Sequence, residues 1–304
     1  MSKVVELYGL PTIQKPIGGW GAAVKNAKCP YLDRKCLKCR KSSPNISIGT
    51  CSVHVKKDDG TPEHMIICPY RLLEDQQIFI DCLPLLTKHE HGNEYHITNQ
   101  LSIPGGKVDY CLASVRKNGV VVDFVGIEFQ TLDTTGTIWP ERQRFLHSQN
   151  LKVGTKDRAS KKKFGMNWKM TAKTILVQLL HKVETFEHAG KKLVLVCQTR
   201  LLKYMRDTFL FDHVNTDDES HTMRLHTYDL QRVAGEGFQL VAGDKFSTNR
   251  EGVEKCLRLK DSGKIDVDTL TVHVQSKITS NTKLLVTKPS SIPALEKDKN
   301  KDGA

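Results

Sequence analysis

Three polar side chains in two neighbouring apolar runs have types and spacing that suit chemistry at phosphorus. In "VGIEFQTLD", residues 125 to 133, Val125, Ile127 and Phe129 fit a pleated strand, while Glu128 and Gln130 sit two apart and share its other face. Burying a carboxylate beside an amide is costly unless something pairs with them. Asp109 lies in the preceding run, and a hairpin between the two brings it across from Glu128. Two carboxylates on one face repel unless a cation stands between them. Mg²⁺ takes hard oxygen ligands, typically one or two carboxylates with waters and phosphate oxygens. Such an ion activates water and stabilises charge developing at phosphorus. Asp109 and Glu128 are therefore candidate ligands, and Gln130, which cannot act as a base, is suited to orient water or a phosphate oxygen. Asp123 and Asp133 are competing acids, but Asp133 is three residues past Gln130 and leaves the shared face. The plainer reading ends a turn at Asp109 and pairs Glu128 with a surface lysine.

A second group is made of thiols. Cys29, Cys36, Cys39, Cys51 and Cys68 cluster in a chain of nine cysteines. No N-terminal stretch has a signal-peptide layout and no apolar run is long enough for a membrane span, so the expected compartment is the reducing cytoplasm. There, clustered cysteines indicate metal binding before disulfides. Cys29-Pro30, Gly49-Thr50-Cys51 and Cys68-Pro69 each join a thiol to a turn former, and tight turns let backbone amides face sulfur. Four thiolates make a closed tetrahedral site for zinc or iron, architectural rather than catalytic. His54 and His64 are substitute ligands.

The elements that must position these groups follow from periodicity. Lys117-Asn118-Gly119 separates the apolar runs and marks a hairpin pairing 108–115 with 120–130. In "TILVQLLHKVETFEHAG", Ile175, Leu176, Leu179, Leu180, Val183 and Phe186 form a helical stripe that Gly190 ends. "KKLVLVCQ" reads as a buried strand. Further strands are expected at 223–230 and 267–275, a short helix near 249–261, and a helical turn in "DQQIFIDCLPLL" before Pro84. The expected organisation is an irregular arm over 1–25, a Cys-rich metal-binding module over 26–75, a catalytic domain over 76–288 and a disordered tail over 289–304. The class is α/β (α+β), a mixed sheet flanked by helices.

The chain has 304 residues and a net charge of +12, a balance that favours a polyanionic partner, nucleic acid ahead of a membrane surface. Lys161, Lys162 and Lys163, near Phe164 and Trp168, suit phosphate contacts. Their bland alternative is a solvated loop with the two aromatics tucked into the core. Arg34 and Arg40 lie in a second basic run within the cysteine module. With Arg142 and Arg144, they have the side chain that reads guanine through paired bonds. His147 and His181 are read as packing or surface residues.

The ordered motifs "CPYLDRKCLK", "SIGTCSV", "IICPYRLL" and "GIEFQTLDTTG" resemble those of the NotI-type restriction endonucleases. The acidic hairpin resembles the PD-(D/E)xK nuclease core, in the variant where glutamine replaces the usual lysine. Clear motifs cover about 29 to 136, with a looser likeness through 167 to 198. The resemblance implies a type II enzyme that cuts both strands of duplex DNA with Mg²⁺, at a short and GC-rich palindrome. It also implies a homodimer and a cognate DNA methyltransferase. In it, Asp109 matches the first catalytic acid, and Glu128 and Gln130 match the ExQ pair. Cys29, Cys51 and Cys68 match ligands of a structural iron or zinc. Cys36 fits the family's Cys-x-Lys as the fourth, with Cys39 the alternative. The proline that names the core is absent, since Val108 precedes Asp109. The rival expectations are a non-catalytic, metal-stabilised DNA-binding regulator and a nuclease of DNA repair.

Overall fold

The computed structural model describes residues 3–57, 59–235, 237–257 and 267–278. The chain divides into two units, 1–260 and 261–304. In the first unit a four-stranded antiparallel sheet is built from β1 (Val4–Leu7), β2 (Leu10–Pro11), β3 (Thr50–Lys56) and β4 (Pro62–Ile66), in the order β2-β1-β3-β4. The larger sheet contains β5 (Glu94–Ile103), β6 (Gly106–Val115), β7 (Val121–Gln130), β8 (Lys192–Cys197), β9 (Asn215–Thr216), β10 (Met223–Val233) and β11 (Gly237–Thr248). Its order is β9-β11-β10-β8-β7-β6-β5. β8 runs parallel to both β7 and β10, and the other neighbours are antiparallel.

Local chemistry explains the meander. Gly119 has φ +84°, a conformation glycine adopts without a Cβ penalty. The Val120 amide donates to Asn118 Oδ1, and the Arg116 amide to the Val120 carbonyl, closing the turn between β6 and β7. The chain from β7 to β8 carries α3 (Trp139–Ser148), α4 (Thr155–Ala159) and α5 (Trp168–His188). α6 (Thr199–Thr208) joins β8 towards β10, and α7 (Arg250–Cys256) follows β11. Two earlier helices, α1 (Gly19–Asn26) and α2 (Gln77–Cys82), precede the large sheet.

Both faces of this sheet are covered. On β8, Leu193, Leu195 and Cys197 pack with the α5 residues Leu179, Val183 and Phe186, while Val194 and Val196 pack with Ile78 and Phe79 of α2. A strand buried on both sides needs no polar alternation, which is why "LVLVC" is continuously apolar. α5 lies close to β7: a Cβ on Gly126 would stand 2.3 Å from Phe186 Cζ.

The stretch expected as an irregular arm contributes β1, whose residues are all buried, and α1, whose Trp20 meets Phe145 edge-on at 4.9 Å between ring centres. Arg71, fully buried, binds Glu6 Oε1 at 3.0 Å, Glu74 at 3.0 Å and the Phe238 carbonyl at 2.9 Å, linking β1 to β11. The hairpin, the helical stripe, the turn before Pro84 and the strand expected at 223–230 are present, though α5 starts at Trp168 rather than in the mid-170s; of the helix expected near 249–261, Arg250–Cys256 is helical and residues 258–261 lie outside the described residues. A second expectation fails, after that of the irregular arm. Residues 267–275 form a helix, α8 (Val267–Gln275), instead of a strand. The alternation in "VDTLTVHV" suits a strand, but a helix closes its backbone hydrogen bonds within itself and a strand requires a neighbour. The expected tail from Pro289 lies outside the described residues. Among the described residues no helix is long and apolar enough to cross a membrane.

Candidate active site

The β6–β7 ladder runs from Val115↔Val121 to Tyr110↔Ile127, and the next step brings Asp109 opposite Glu128. There side chains replace the ladder. The Phe129 amide donates to Asp109 Oδ2 at 3.0 Å, and the Asp109 amide acts on the Glu128 carboxylate. Asp109 is thus held by the backbone of the neighbouring strand, and the Asp109 backbone lies close enough to Glu128 to favour its charged form. Val108 packs with the α5 cluster whereas Tyr110 and Leu112 pack with the α2 cluster, although residues two apart on a regular strand share a face. β6 therefore turns about its axis at Asp109.

The two acids differ in environment. Asp109 is half-buried; Glu128 is 5% exposed and faces α5, not solvent. From α5, Lys182 places Nζ 2.7 Å from Glu128 Oε1, with both side chains nearly inaccessible. Burial pushes the Glu128 carboxyl up to about 7; the bond and charge of Lys182 oppose this, and the charge of Asp109 adds to it. The plain pairing of Glu128 with a lysine is thus real, but it is buried rather than on the surface. Gln130 is half-buried beside them, its Nε2 donating to the Thr131 carbonyl at 2.7 Å. Asp123 is elsewhere on β7, bound to Lys191 Nζ at 2.5 Å and the Lys88 amide at 2.9 Å, and Asp133 is exposed.

Lys182 escaped the sequence reading, yet its signal was there. It occupies a position three after Leu179 and four before Phe186, inside the apolar stripe, where a charged residue needs a partner.

Cys29, Cys36, Cys51 and Cys68 are buried, while Cys39 is half-buried. Backbone amides face three of the sulfurs: Gly9 donates to Cys51 Sγ at 3.3 Å, Lys38 and Gly49 act on Cys36, and Tyr70 acts on Cys68. The thiols are close enough to sense one another's charge, Cys36 with Cys29, and Cys68 with both Cys36 and Cys29. Lys38 Nζ donates to the Ile67 carbonyl at 2.5 Å beside this group. Among the described residues, no three His, Cys, Asp or Glu side chains are drawn together tightly enough to hold one ion. His54 and His64 pack against each other on paired strands, with ring centres 4.7 Å apart and planes tilted by 44°, and take no part in the thiol group.

The basic residues separate by burial. Lys161, Lys162 and Lys163 are exposed, with Phe164 anchored in the core beside them. Arg34 is exposed, on a short strand pair opposite Cys29, and its charge reaches Tyr70 and Tyr110, which also sense Asp109. Arg40 lies over the Trp139 ring at 4.7 Å, with Asp157 at 3.6 Å. Arg142 is committed to the fold: it is 3% exposed and donates to the Ile48 carbonyl at 2.6 Å and Tyr8 Oη at 3.0 Å. Arg144 is held by Glu141 at 2.6 Å and the Ser160 carbonyl at 2.9 Å.

A family model described as restriction endonuclease NotI matches residues 22–240, a span that includes the four buried thiols, the acid pair and Lys182. No curated protein matches the chain.

Proposed function

Because the chain belongs to the NotI restriction endonuclease family, and is accordingly a site-specific deoxyribonuclease, we propose that Asp109, Glu128 and Gln130 form its catalytic centre. The observation that carries this reading is the juxtaposition of the two acids across the strand pair at the point where β6 leaves β7, with Asp109 held by the Phe129 amide and Glu128 by Lys182. Two carboxylates, one held by a backbone amide and half-exposed and the other held by a lysine, match the hard-oxygen donor set that Mg²⁺ takes. When bound, Mg²⁺ supplies Lewis acidity to a phosphoryl oxygen and lowers the pKa of water.

The residues have separable tasks. Asp109, the more exposed acid, and Glu128 hold the cation. Gln130, neutral, orients water or a phosphate oxygen by hydrogen bonding. Hydrolysis adds water across the ester: the water oxygen bonds phosphorus, the sugar P–O bond breaks, and the leaving oxygen takes a proton. Both strands of a short, GC-rich palindrome are cut by a homodimer, whose two-fold axis matches that of the site. The exposed Lys161, Lys162 and Lys163 supply sequence-independent phosphate affinity, and Arg34 and Arg40 contribute DNA contacts from the cysteine module. Cys29, Cys36, Cys51 and Cys68 are the set that would hold a structural iron or zinc, which would have to draw together thiols that stand too far apart here for one ion. Their burial and the amides facing them support this set, and the greater exposure of Cys39 favours Cys36 as the fourth ligand. Such an enzyme works in the cytoplasm beside a methyltransferase that protects the host's own sites.

The test is digestion of a sequenced phage DNA with Mg²⁺, followed by sequencing of the fragment ends. Discrete bands with ends sharing one palindrome are expected. Asp109→Ala and Glu128→Ala should each abolish cutting while duplex binding without divalent metal persists; undiminished cutting by either variant refutes the assignment.

A further inference from the structure

Lys182 is the residue whose placement the proposed chemistry does not yet use. It interrupts the apolar stripe of α5 between Leu179 and Val183, and its side chain is 8% exposed. Taking an ammonium out of water costs several kcal/mol, and a well-packed apolar side chain is often as stable at such a position or more so. Stability therefore gives little reason for a lysine there. Its partner is specific: Glu128 Oε1 at 2.7 Å, on the strand next to Asp109. Its stem passes Gly106 of β6, where a Cβ would stand in ordinary contact with Lys182 Cε at 3.7 Å. A charged donor bonded to one oxygen of a buried carboxylate restricts that group's rotation and fixes the direction of its second oxygen.

We propose that Lys182 is a positioning residue of the nuclease centre, delivered by α5 to orient the Glu128 carboxylate beside Asp109 for cation uptake. This rests on the reading of Asp109 and Glu128 as the cation site. Lys182 is buried beneath Glu128 and acts through it, not on DNA. The helix thereby supplies an ammonium to a strand pair that carries glutamine at position 130. Partners that orient a metal-binding side chain characteristically change metal affinity and rate together.

The experiment compares full-length wild type, Lys182→Met, Lys182→Arg and Glu128→Ala. Mn²⁺ binding to the DNA-free protein is measured by calorimetry, and single-turnover cutting is measured at saturating duplex. For Lys182→Met, Mn²⁺ affinity should fall by about tenfold or more, and the cutting rate by a similar or larger factor. Duplex affinity without divalent metal should stay unchanged. Lys182→Arg keeps a charged donor and should recover part of both losses; it also stands in if Lys182→Met fails to fold. Wild-type Mn²⁺ affinity and cutting in Lys182→Met overturn the proposal, as does loss of duplex binding in parallel with cutting, the mark of a purely structural lysine. If Glu128→Ala itself binds Mn²⁺ and cuts as wild type does, the cation-site reading fails instead.

Discussion

At the scale of single residues, burial decides what each ionisable group does. His226 on β10 is 1% exposed, and burial, followed by the charges of Lys245 and Arg224, pulls its pKa down to about 4. Its Nδ1 lies 4.0 Å from Cys82 Sγ, and its Nε2 has no hydrogen-bond partner among the described residues. The folded pKa is below the unfolded value near 6.5, so the neutral ring contributes stability above about pH 6.5. That contribution is lost as pH falls through 6.5 towards 4, and its size is on the order of 3 kcal/mol. Urea titrations at stepped pH should therefore show a flatter stability slope over this window for His226→Gln, with a remaining slope from His64, whose pKa burial also pulls down to about 4. An unchanged slope would mean that His226 is not a buried neutral group. The acid pair was legible in sequence because the hairpin marked by Asn118-Gly119 placed Asp109 and Glu128 on facing strands. Arg142 was not, since nothing local distinguishes a guanidinium that caps the Ile48 carbonyl from one that reads guanine.

At the scale of elements, the contact of α5 with β7 sets the geometry of the centre. Gly126 admits Phe186 against the strand, and the same helix carries Lys182 to Glu128. Gly126→Ala should destabilise by at least about 1–3 kcal/mol through overpacking. Adding Phe186→Leu should cost less than the two single changes summed, because the second relieves the clash made by the first. Chemical denaturation of the four proteins checks this, and strict additivity would place the strain elsewhere. The helix was readable from its 3.6-residue stripe and the hairpin from Asn118-Gly119, because both signals are local. The periodicity of 267–275 misled, since alternation identifies a strand only where a neighbouring strand exists to pair with. β11 went unseen because Gly243, Asp244 and Lys245 interrupt its apolar pattern, and its pairing with β10 supplies what the pattern lacks.

At the scale of the whole molecule, separated segments are tied together by buried polar groups. Arg71 joins β1, the turn at Glu74 and β11, and the Glu74 carboxylate accepts from the Leu240 amide at 2.5 Å. The thiols likewise come from four places in the chain, 29, 36, 51 and 68. With the proposed metal, Cys51→Ser should lose bound iron or zinc and lower the thermal midpoint by roughly 5–10 °C, as a loss of a few kcal/mol does in a protein of this size. Elemental analysis and calorimetry check it, and a variant that keeps its metal and midpoint would remove Cys51 from the set. The order of motifs, the acid spacing, the thiol clustering and the strand and helix patterns were determined by the sequence itself, because they depend on local steric preference and burial periodicity. Which face of β7 meets α5, that β6 turns at Asp109, that an ammonium stands under Glu128 and that the N-terminal arm is a core strand were decided only by tertiary structure. These depend on which distant groups share a dry interior, and no local spacing encodes that.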